Sequence, residues 1–349
     1  MFFASDNAGP AHPLVMEALV AANQGYALPY GADDLMDEVR TRLRDIFEAP
    51  DAAIYLAATG TAANALALAT LGEPWQTVFC SEVAHIHEDE CNAPEFYSGG
   101  AKLTLVPGGD KITPDALRGV IEKEENRHVH GPQRGPVSIT QVTERGAIYT
   151  LDELQAVAGV AKSYGLPVHL DGARFANALV RLNCSPADMT WRAGVDVVSF
   201  GGTKNGLLGV EAVILFDPTK SWEFELRRKR AAHLFSKHRY LSAQMAAYLR
   251  DDLWLSMARQ ANDNCARLAD GLRAAGAEFL NQPDANMIFT RFPRAAHQRL
   301  HAAGAMYYVL DGDVDQGDPA EMLSARLVCD WSISTDQIDQ FLSHLKEPA

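Results

Sequence analysis

The chain has 349 residues, of which 47% are hydrophobic and 22% are charged. This composition is typical of globular proteins and excludes a disordered or collagen-like chain, and the length predicts about two domains. The formal net charge of −14 disfavours binding to nucleic acids or anionic membrane surfaces, because the mean field repels phosphate groups.

Short runs of β-branched residues alternate with helical patterns from about residue 50 to residue 216. This alternation predicts an α/β domain built on a largely parallel sheet. The helix that opens at Thr150 has a capping-box partner in Glu153 and is expected to end near Gly165. Ligands are expected where the strands end. The predicted strands are Gln76 to Cys80, Leu103 to Val106, Val137 to Val142, Pro167 to Leu170, Val195 to Ser199 and Val210 to Phe216.

The pattern changes after about residue 250 and predicts a smaller α+β domain. We expect a large domain over residues 1–245, which includes the N-terminal segment, and a small domain over residues 246–349, packed tightly together. The predicted elements of the second part are a helix from Leu255 to Ala274, a strand from Asn286 to Phe292, a helix from Ala295 to Ala303, strands from Tyr307 to Leu310 and from Ala325 to Cys329, and a last helix from Thr335.

The cysteines and the apolar runs indicate the type of compartment. The chain has five cysteines, an odd number with no CxxC pair, which argues against a disulfide framework or a zinc knuckle. No apolar run approaches the roughly 18 residues of a membrane span, and no basic region followed by an apolar core opens the chain. The sequence therefore predicts a cytoplasmic protein with reduced thiols and no metal site.

Three short segments carry candidate chemistry. Ala58 to Asn64 is a small-residue turn that opens an alanine-rich helix, and such a helix start is suited to cradling a phosphate, although it can equally be a capped helix start without a ligand. Asp171 ends a buried strand and is expected to meet a cation, which can be the nearby Arg174 or a ligand. Lys204 lies in a glycine-dense loop, where a desolvated amine is a candidate Schiff-base nucleophile.

Together these three segments describe one ligand, pyridoxal 5′-phosphate (PLP). Its phosphate fits the helix start, its ring nitrogen needs a carboxylate to stay protonated, and its aldehyde needs an amine. The order along the chain, with the phosphate turn first, then Asp171, then Lys204, matches the aspartate-aminotransferase-like fold, known as fold type I.

Six segments match the motifs of one enzyme family, and they are spread over essentially the whole chain. They are Ser5 to Asn7, Pro29 to Asp34, Thr59 to Asn64, Ala84 to Ile86, His169 to Arg174, and Arg326 to Val328. On these residues the chain resembles the threonine aldolase family, in the β-eliminating lyase group of PLP enzymes. The resemblance implies fold type I, with a mainly parallel seven-stranded sheet flanked by helices and a small α+β C-terminal domain.

The resemblance also implies roles at the cofactor. Gly60 and Thr61 correspond to the phosphate turn, His85 to the histidine that stacks on the ring, and Asp171 and Arg174 to the family's Asp and Arg pair. In a basic run at residues 226–240, the family's spacing assigns a phosphate contact to Arg230, or alternatively to Arg228. That run can also be a solvated helix.

For the substrate, Arg174 and Arg326 are the expected clamp on the α-carboxylate, because a guanidinium can grip a carboxylate with two hydrogen bonds. Each arginine can also be a structural ion pair. Ser5 is expected to add a third hydrogen bond. Tyr30 is expected to line the site of a neighbouring subunit, in a homo-oligomer that is a dimer or tetramer with shared sites.

Cleavage of the bond between Cα and Cβ needs a base for the β-hydroxyl proton, and a histidine near neutrality suits that task. The candidates are His85 and His130, and each can instead be a polar residue without a proton role. His87 and His128 are not expected to act, since they lie two residues away from those positions.

The predicted activity is reversible cleavage of β-hydroxy-α-amino acids, such as threonine, allo-threonine or phenylserine, to glycine and an aldehyde. The alternative within PLP chemistry is β-elimination from serine or a cysteine derivative. From other classes, the alternatives are a nucleotide-binding α/β protein and a catalytically silent protein with the PLP fold, neither of which explains Lys204.

Overall fold

A computed structural model describes residues 1–124 and 127–346 of the chain. Seven of its strands form one sheet: β1 (Ala53–Ala57), β2 (Gln76–Ser81), β3 (Lys102–Val106), β4 (Gln133–Thr140), β5 (Val168–Gly172), β6 (Val197–Phe200) and β7 (Glu211–Leu215). The other four form a second sheet: β8 (Glu278–Phe279), β9 (Met287–Pro293), β10 (Tyr308–Val309) and β11 (Met322–Val328).

The helices of the described residues lie mainly between these strands. They are α1 (Pro13–Ala22), α2 (Asp34–Ile46), α3 (Gly60–Leu71), α4 (His85–Glu88), α5 (Ala93–Ser98), α6 (Pro114–Ile121), α7 (Leu151–Ser163), α8 (Phe175–Leu182), α9 (Ser221–Arg230), α10 (Arg239–Leu249), α11 (Leu253–Ala274), α12 (Arg294–Ala302) and α13 (Thr335–Lys346). Within the described ranges, no helix combines the length and the apolar character needed to cross a membrane.

The large sheet has the strand order β1-β7-β6-β5-β4-β2-β3. Strand β7 runs antiparallel to both of its neighbours, and the strands from β6 to β3 pair in parallel. The predicted mainly parallel seven-stranded sheet is therefore confirmed. Parallel strands bring their carboxyl ends to one edge of the sheet, and the loops after β4, β5 and β6 meet there.

Two strands of the large sheet differ most from the sequence prediction, and in the second sheet β8 was not predicted and β11 begins at Met322, before the predicted start at Ala325. Strand β1, with the sequence AIYLA, was not predicted, because a five-residue apolar run that leads directly into a helix has no period of its own. Strand β4 begins at Gln133, four residues before the predicted start at Val137. Its first half contains glycine and proline, but pairing of Gln76 with Gln133 overrides this weak local preference.

Helix α3 is buried on nearly all sides, since every residue from Ala62 to Thr70 is buried. Its many alanines let it approach β6 and β7 closely, which carries its first turn to the edge where the parallel strands end. Helix α7 begins with the predicted capping box. The Thr150 hydroxyl accepts a hydrogen bond from the Glu153 N–H at 3.2 Å, and the Glu153 carboxylate accepts one from the Thr150 N–H at 2.7 Å.

The second sheet is antiparallel and has the order β10-β11-β9-β8. Helices α11, α12 and α13 pack with it around a separate apolar core that includes Phe292, Leu327 and Phe341. Phe3 belongs to this core, and its carbonyl accepts a hydrogen bond from the Val328 N–H at 2.8 Å. The first residues of the chain therefore contact the second sheet, although the division at residues 245 and 246 remains a prediction.

Gly201 follows β6 at the point where the chain passes closest to the end of β5. A Cβ at this position would lie 2.7 Å from the Gly172 carbonyl oxygen and closer still to that of Ala173. These are backbone atoms that cannot move without separating the strands. We expect Gly201→Ala to lower the apparent melting temperature of the cofactor-free protein, measured by thermal unfolding at fixed protein concentration.

The matched control is Gly159→Ala, in the exposed face of α7, where no heavy atom lies within 4 Å of an added Cβ. Alanine at such a helix position is expected to stabilise the protein by about 0.5–1 kcal/mol. Equal melting temperatures for Gly201→Ala and the wild type would contradict the close approach.

Candidate active site

Two adjoining cavities open where β4, β5 and β6 end. The inner cavity, of about 450 Å³, is lined by the first turn of α3 and by Asp171. The outer cavity, of about 950 Å³, extends to the second sheet and is lined by Ser5 and Arg326. The two cavities share five lining residues, which are Asn7, His85, Glu144, Arg174 and Lys204.

The first turn of α3 supplies unpaired N–H groups to the inner cavity. Thr59 caps the helix, and its hydroxyl accepts a hydrogen bond from the Ala62 N–H at 3.2 Å. Gly60 and Thr61 are the first helical residues, and the N–H groups of a first turn have no acceptor within the helix. This turn can therefore bind an anion such as a phosphate.

Asp171 lies near the end of β5 and is 4% exposed. One of its oxygens accepts a hydrogen bond from the Ala173 N–H at 3.0 Å, and the other accepts one from the Asn64 amide at 2.8 Å. Arg174 does not pair with Asp171, which removes the structural alternative that the sequence left open. The carboxylate is thus held as an acceptor in the wall of the inner cavity.

Lys204 lies in the short turn after β6. The turn is fixed by Asn205, whose amide donates to the Tyr248 hydroxyl at 2.8 Å and to the Trp254 carbonyl at 2.9 Å. The positive charge of Arg174 lowers the pKa of Lys204 below its ordinary value, and burial lowers it further. Both effects favour the neutral amine, which is the nucleophilic form.

His85 opens α4 and reaches both cavities. Its Nδ1 lies 2.8 Å from Oε1 of Glu90, and the Asn64 amide donates to the same oxygen at 3.0 Å. The hydrogen bond to Glu90 raises the pKa of His85 above its ordinary value. Burial raises the pKa of Glu90.

Glu144 was not singled out in the sequence and lines both cavities. Its Oε1 accepts hydrogen bonds from the His85 N–H and from the Thr140 hydroxyl, each at 2.8 Å. Burial raises the pKa of Glu144 to about 7.

Glu211, in β7, is a second carboxyl at the inner cavity that the sequence did not single out. Its carboxylate accepts a hydrogen bond from the Gly202 N–H at 2.8 Å. Burial raises the pKa of Glu211 to about 7.

Two arginines converge on the outer cavity. Arg174 forms a buried two-bond pair with Asp6, through Nε at 2.7 Å and Nη2 at 2.9 Å. Arg326 forms no ion pair among the described residues, and its buried Nε has no hydrogen-bond partner there. Burial, together with the charge of Arg174, lowers the pKa of Arg326. A guanidinium left without an anion beside a second guanidinium can bind a carboxylate.

The structure does not bring every predicted residue to the cavities. His130 is exposed in a turn before β4, whereas the cavities lie at the other end of that strand, so it does not reach the cavities of its own chain and its proton role stays a prediction. Arg230 lines a separate cavity beside α5 and α9, and Arg228 is buried against the Tyr55 ring. Tyr30 is half-exposed beside Lys229. Within one chain, none of these residues lines the inner or the outer cavity.

Asn64, Glu90 and Asp6 are site residues to which the sequence analysis gave no role. Asn64 and Asp6 lie inside the quoted motifs, so their position was available, but their partners are 107 and 168 residues away. Glu90 stands in the polar run HIHEDE, which is typical of a solvated surface, and only the fold shows that it is buried.

The residues at the inner cavity fit PLP. An amine with a lowered pKa, an accepting carboxylate and an anion-binding helix turn line one cavity, which is the donor and acceptor set that the aldehyde, ring nitrogen and phosphate of that cofactor require. The amide Oδ1 of Asn64 and Oε2 of Glu90, at the same cavity, are buried without a hydrogen-bond partner.

Comparisons with known proteins find similar sequences and similar folds. The family model described as beta-eliminating lyase matches residues 3–294. The low specificity L-threonine aldolase of Pseudomonas aeruginosa is 39% identical over 347 residues, which are 99% of this chain and 96% of that protein. A solved structure of Leishmania major threonine aldolase superposes with a TM-score of 0.92 at 25% identity, covering 99% of this chain and 98% of that one. Serine palmitoyltransferase of Sphingomonas wittichii shares the fold, with a TM-score of 0.71 at 16% identity over 99% and 86% of the chains.

The pair between Asp6 and Arg174 allows a test of how the site contributes to stability. Arg174 is 8% exposed, so removing its partner leaves a buried charge without compensation. We expect Asp6→Asn to reduce the free energy of unfolding by about 3–5 kcal/mol. The measurement is denaturant-induced unfolding of the cofactor-free protein at one protein concentration.

Asp339→Asn is the matched control, since Asp339 pairs with Arg267 on the surface, where both side chains are about half exposed. Exposed pairs of this kind contribute at most about 1 kcal/mol. A loss in Asp6→Asn no larger than that in the control would show that the buried pair does not stabilise the fold.

Proposed function

The chain belongs to the beta-eliminating lyase family, which includes the threonine aldolases, and we propose that it is a PLP-dependent aldolase. It cleaves β-hydroxy-α-amino acids of the threonine, allo-threonine and phenylserine type to glycine and an aldehyde, and it also catalyses the reverse reaction. The observation that carries this proposal is that the Lys204 amine, the Asp171 carboxylate and two arginines line adjoining cavities.

PLP supplies, when bound, a ring that takes up the negative charge that develops at the substrate Cα. Lys204 would hold its aldehyde carbon, and Gly60 and Thr61 would hold its phosphate. Asp171 would face the ring nitrogen, and His85 would cover one face of the ring.

Arg326 and Arg174 bind the α-carboxylate of the substrate, and Ser5 adds a hydrogen bond. Arg174 keeps Asp6 as a permanent partner, so Arg326 supplies the larger share of the attraction. Holding the carboxylate fixes the rotation about the bond between Cα and the amino nitrogen. This rotation selects which of the other bonds of Cα breaks. The carboxylate clamp therefore directs the reaction toward the bond between Cα and Cβ.

His85 accepts the proton of the β-hydroxyl. As the hydroxyl proton moves to the imidazole, the bond between Cα and Cβ breaks, the Cβ–O bond becomes the carbonyl of the aldehyde, and the electron pair stays with Cα. A proton delivered to Cα then gives glycine. The raised pKa of His85 makes the imidazole a stronger base for the first step.

We also propose a homo-oligomer, a dimer or tetramer, in which Tyr30 and Arg230, or Arg228, of one subunit reach the site of another. Their distance from the cavities of their own chain supports a contribution to a second copy. The cytoplasmic location remains a prediction.

The Lys204 amine is expected to be indispensable. Lys204→Ala should lack the visible absorbance of the covalent bond between the cofactor and lysine and should release no aldehyde from L-threonine, because Lys204 is the one lysine among the described residues that line the inner cavity. In the wild type, borohydride reduction should attach the cofactor to Lys204, which peptide mass spectrometry detects. Lys220→Ala, which removes an exposed surface lysine, should keep both properties.

The products distinguish this activity from β-elimination. Acetaldehyde from threonine or benzaldehyde from phenylserine, measured with an alcohol dehydrogenase, supports the aldolase. Pyruvate and ammonia from serine without aldehyde from any β-hydroxy-α-amino acid would reject it in favour of a β-eliminating lyase.

Arg326→Lys tests the carboxylate clamp. Lysine keeps the charge but loses the planar pair of donors, so kcat/KM for threonine is expected to fall by roughly 10- to 100-fold, mostly through KM. Steady-state aldehyde release measures this loss, and Arg267→Lys at the exposed surface pair is the control. An unchanged KM in Arg326→Lys would remove Arg326 from the clamp.

A further inference from the structure

A hydrogen-bonded row of four polar side chains borders the inner cavity. It joins His85 and Asp171, two residues that the proposed reaction needs. It runs from His85 to Glu90 at 2.8 Å, from Glu90 to Asn64 at 3.0 Å, and from Asn64 to Asp171 at 2.8 Å. Glu90, Asn64 and Asp171 are at most 4% exposed. These residues join three separate parts of the sequence, which are α4 with the segment after it, α3 and β5.

When both carboxylates are ionised, the chemistry of the members fixes the direction of every hydrogen bond. Ionised carboxylates only accept, and a primary amide has two N–H donors. Asn64 directs one donor to Glu90 and the other to Asp171, so its amide cannot rotate without losing both bonds. Since Oε1 of Glu90 is an acceptor, Nδ1 of His85 is the donor, and Nε2 is the nitrogen that can accept a proton.

We propose that Glu90 and Asn64 are positioning residues that join His85 and Asp171 into one hydrogen-bonded unit. Glu90 orients the imidazole and stabilises the charge that it acquires. Through its two hydrogen bonds, Asn64 couples the charges of His85 and Glu90 to the carboxylate of Asp171. The catalytic part of this inference rests on the aldol cleavage proposed above.

Among the groups around His85, Glu90 has the largest effect on the pKa of the imidazole. The hydrogen bond to Glu90 is the largest cause of the raised pKa of His85, and the charges of Asp171 and Glu90 add to it. Burial and the charge of Lys204 act in the opposite direction. Glu144 contacts the main-chain N–H of His85 and not its ring.

Asn64 affects His85 without touching it. The hydrogen bonds from His85 and Asn64 lower the pKa of Glu90, against burial and the charge of Asp171, which raise it. Loss of the Asn64 donor therefore favours protonated Glu90, and a neutral Glu90 attracts the imidazolium less. The unit should respond to a change at Asn64 by a shift at His85.

The first test uses the cofactor-free protein and needs no enzymatic activity. The pKa of His85 is measured by NMR of protein labelled with carbon-13 at histidine Cε1, with the signal assigned by its absence in His85→Asn. In Glu90→Gln this pKa is expected to fall by about one to two pH units, because a buried charge-assisted hydrogen bond is lost. In Asn64→Leu it is expected to fall by a smaller amount.

Glu88→Gln is the matched control, since Glu88 lies in the same short helix but is exposed. There the pKa of His85 should change by about 0.3 or less. A change of the same small size in Glu90→Gln would overturn the role of Glu90, and an unchanged value in Asn64→Leu would overturn the link through Asn64. If Glu90→Gln does not fold, Glu90→Asp withdraws the carboxylate by about 1.5 Å, and an unchanged pKa in that variant overturns the inference.

The second test uses the cofactor-loaded enzyme. If Glu90 acts through His85, the acidic limb of kcat/KM against pH should move to lower pH in Glu90→Gln, while the plateau falls because the imidazole is a weaker and less well oriented base. A merely structural role would lower the plateau without moving the limb. A limb that stays in place would therefore overturn the inference.

A double-mutant cycle completes the test. His85→Asn and Glu90→Gln are each expected to lower kcat/KM, and the double variant should be no slower than His85→Asn alone. Multiplied losses would show that Glu90 acts independently and would overturn the positioning role. If the wild type released no aldehyde, the proposed function would fail, whereas the NMR test on the cofactor-free protein would still decide whether the unit exists.

Discussion

The buried carboxylate of Asp171 constrains the rest of the site. A carboxylate that is 4% exposed is costly unless donors surround it, and here the donors are the Ala173 N–H and the Asn64 amide. Asn64 reaches Asp171 only because α3 packs closely on the sheet, which its buried alanines allow. The need for close packing extends to Gly172, where a Cβ would lie 2.7 Å from the Ser199 carbonyl oxygen. Small residues in separate parts of the sequence therefore allow the close packing that surrounds this buried charge.

Local patterns predicted the fold class and the cofactor residues, while long-range pairings decided what the sequence analysis missed. The capping box at Thr150 is complete within four residues, and Asp171 and Lys204 each follow an apolar strand, so their signals are local. Glu90 has no such signal, because its burial depends on contacts with α3 and α4 that form only in the fold. The position of His130 before β4 also had no local signal, because spacing along the chain does not state at which end of a strand a residue lies.

The N-terminal segment connects the two sheets through the site. Phe3 packs in the core of the second sheet, and three residues later Asp6 pairs with Arg174 beside the first sheet. The Asn286 amide, next to β9, also donates to Asp6 at 3.0 Å. A displacement of the second sheet would therefore pull on Asp6 and on its partner Arg174. The segment belongs mechanically to both halves of the molecule, although the sequence placed it with the large domain.

The balance of charge among the arginines bears on the range of substrates. Arg174 is neutralised by Asp6, but Arg326 is not neutralised by any described carboxylate within salt-bridge distance, and the two guanidinium groups repel each other. In the proposed reaction, the substrate α-carboxylate would relieve this repulsion, so much of the binding energy would be directed at a group that all α-amino acids share. In the proposed reaction, the β-substituent would enter the outer cavity, which measures about 950 Å³ and is lined by both apolar and charged residues. A site that grips the carboxylate firmly and leaves the side chain in a wide space is expected to accept β-hydroxy-α-amino acids of different size, because recognition does not depend on filling that space.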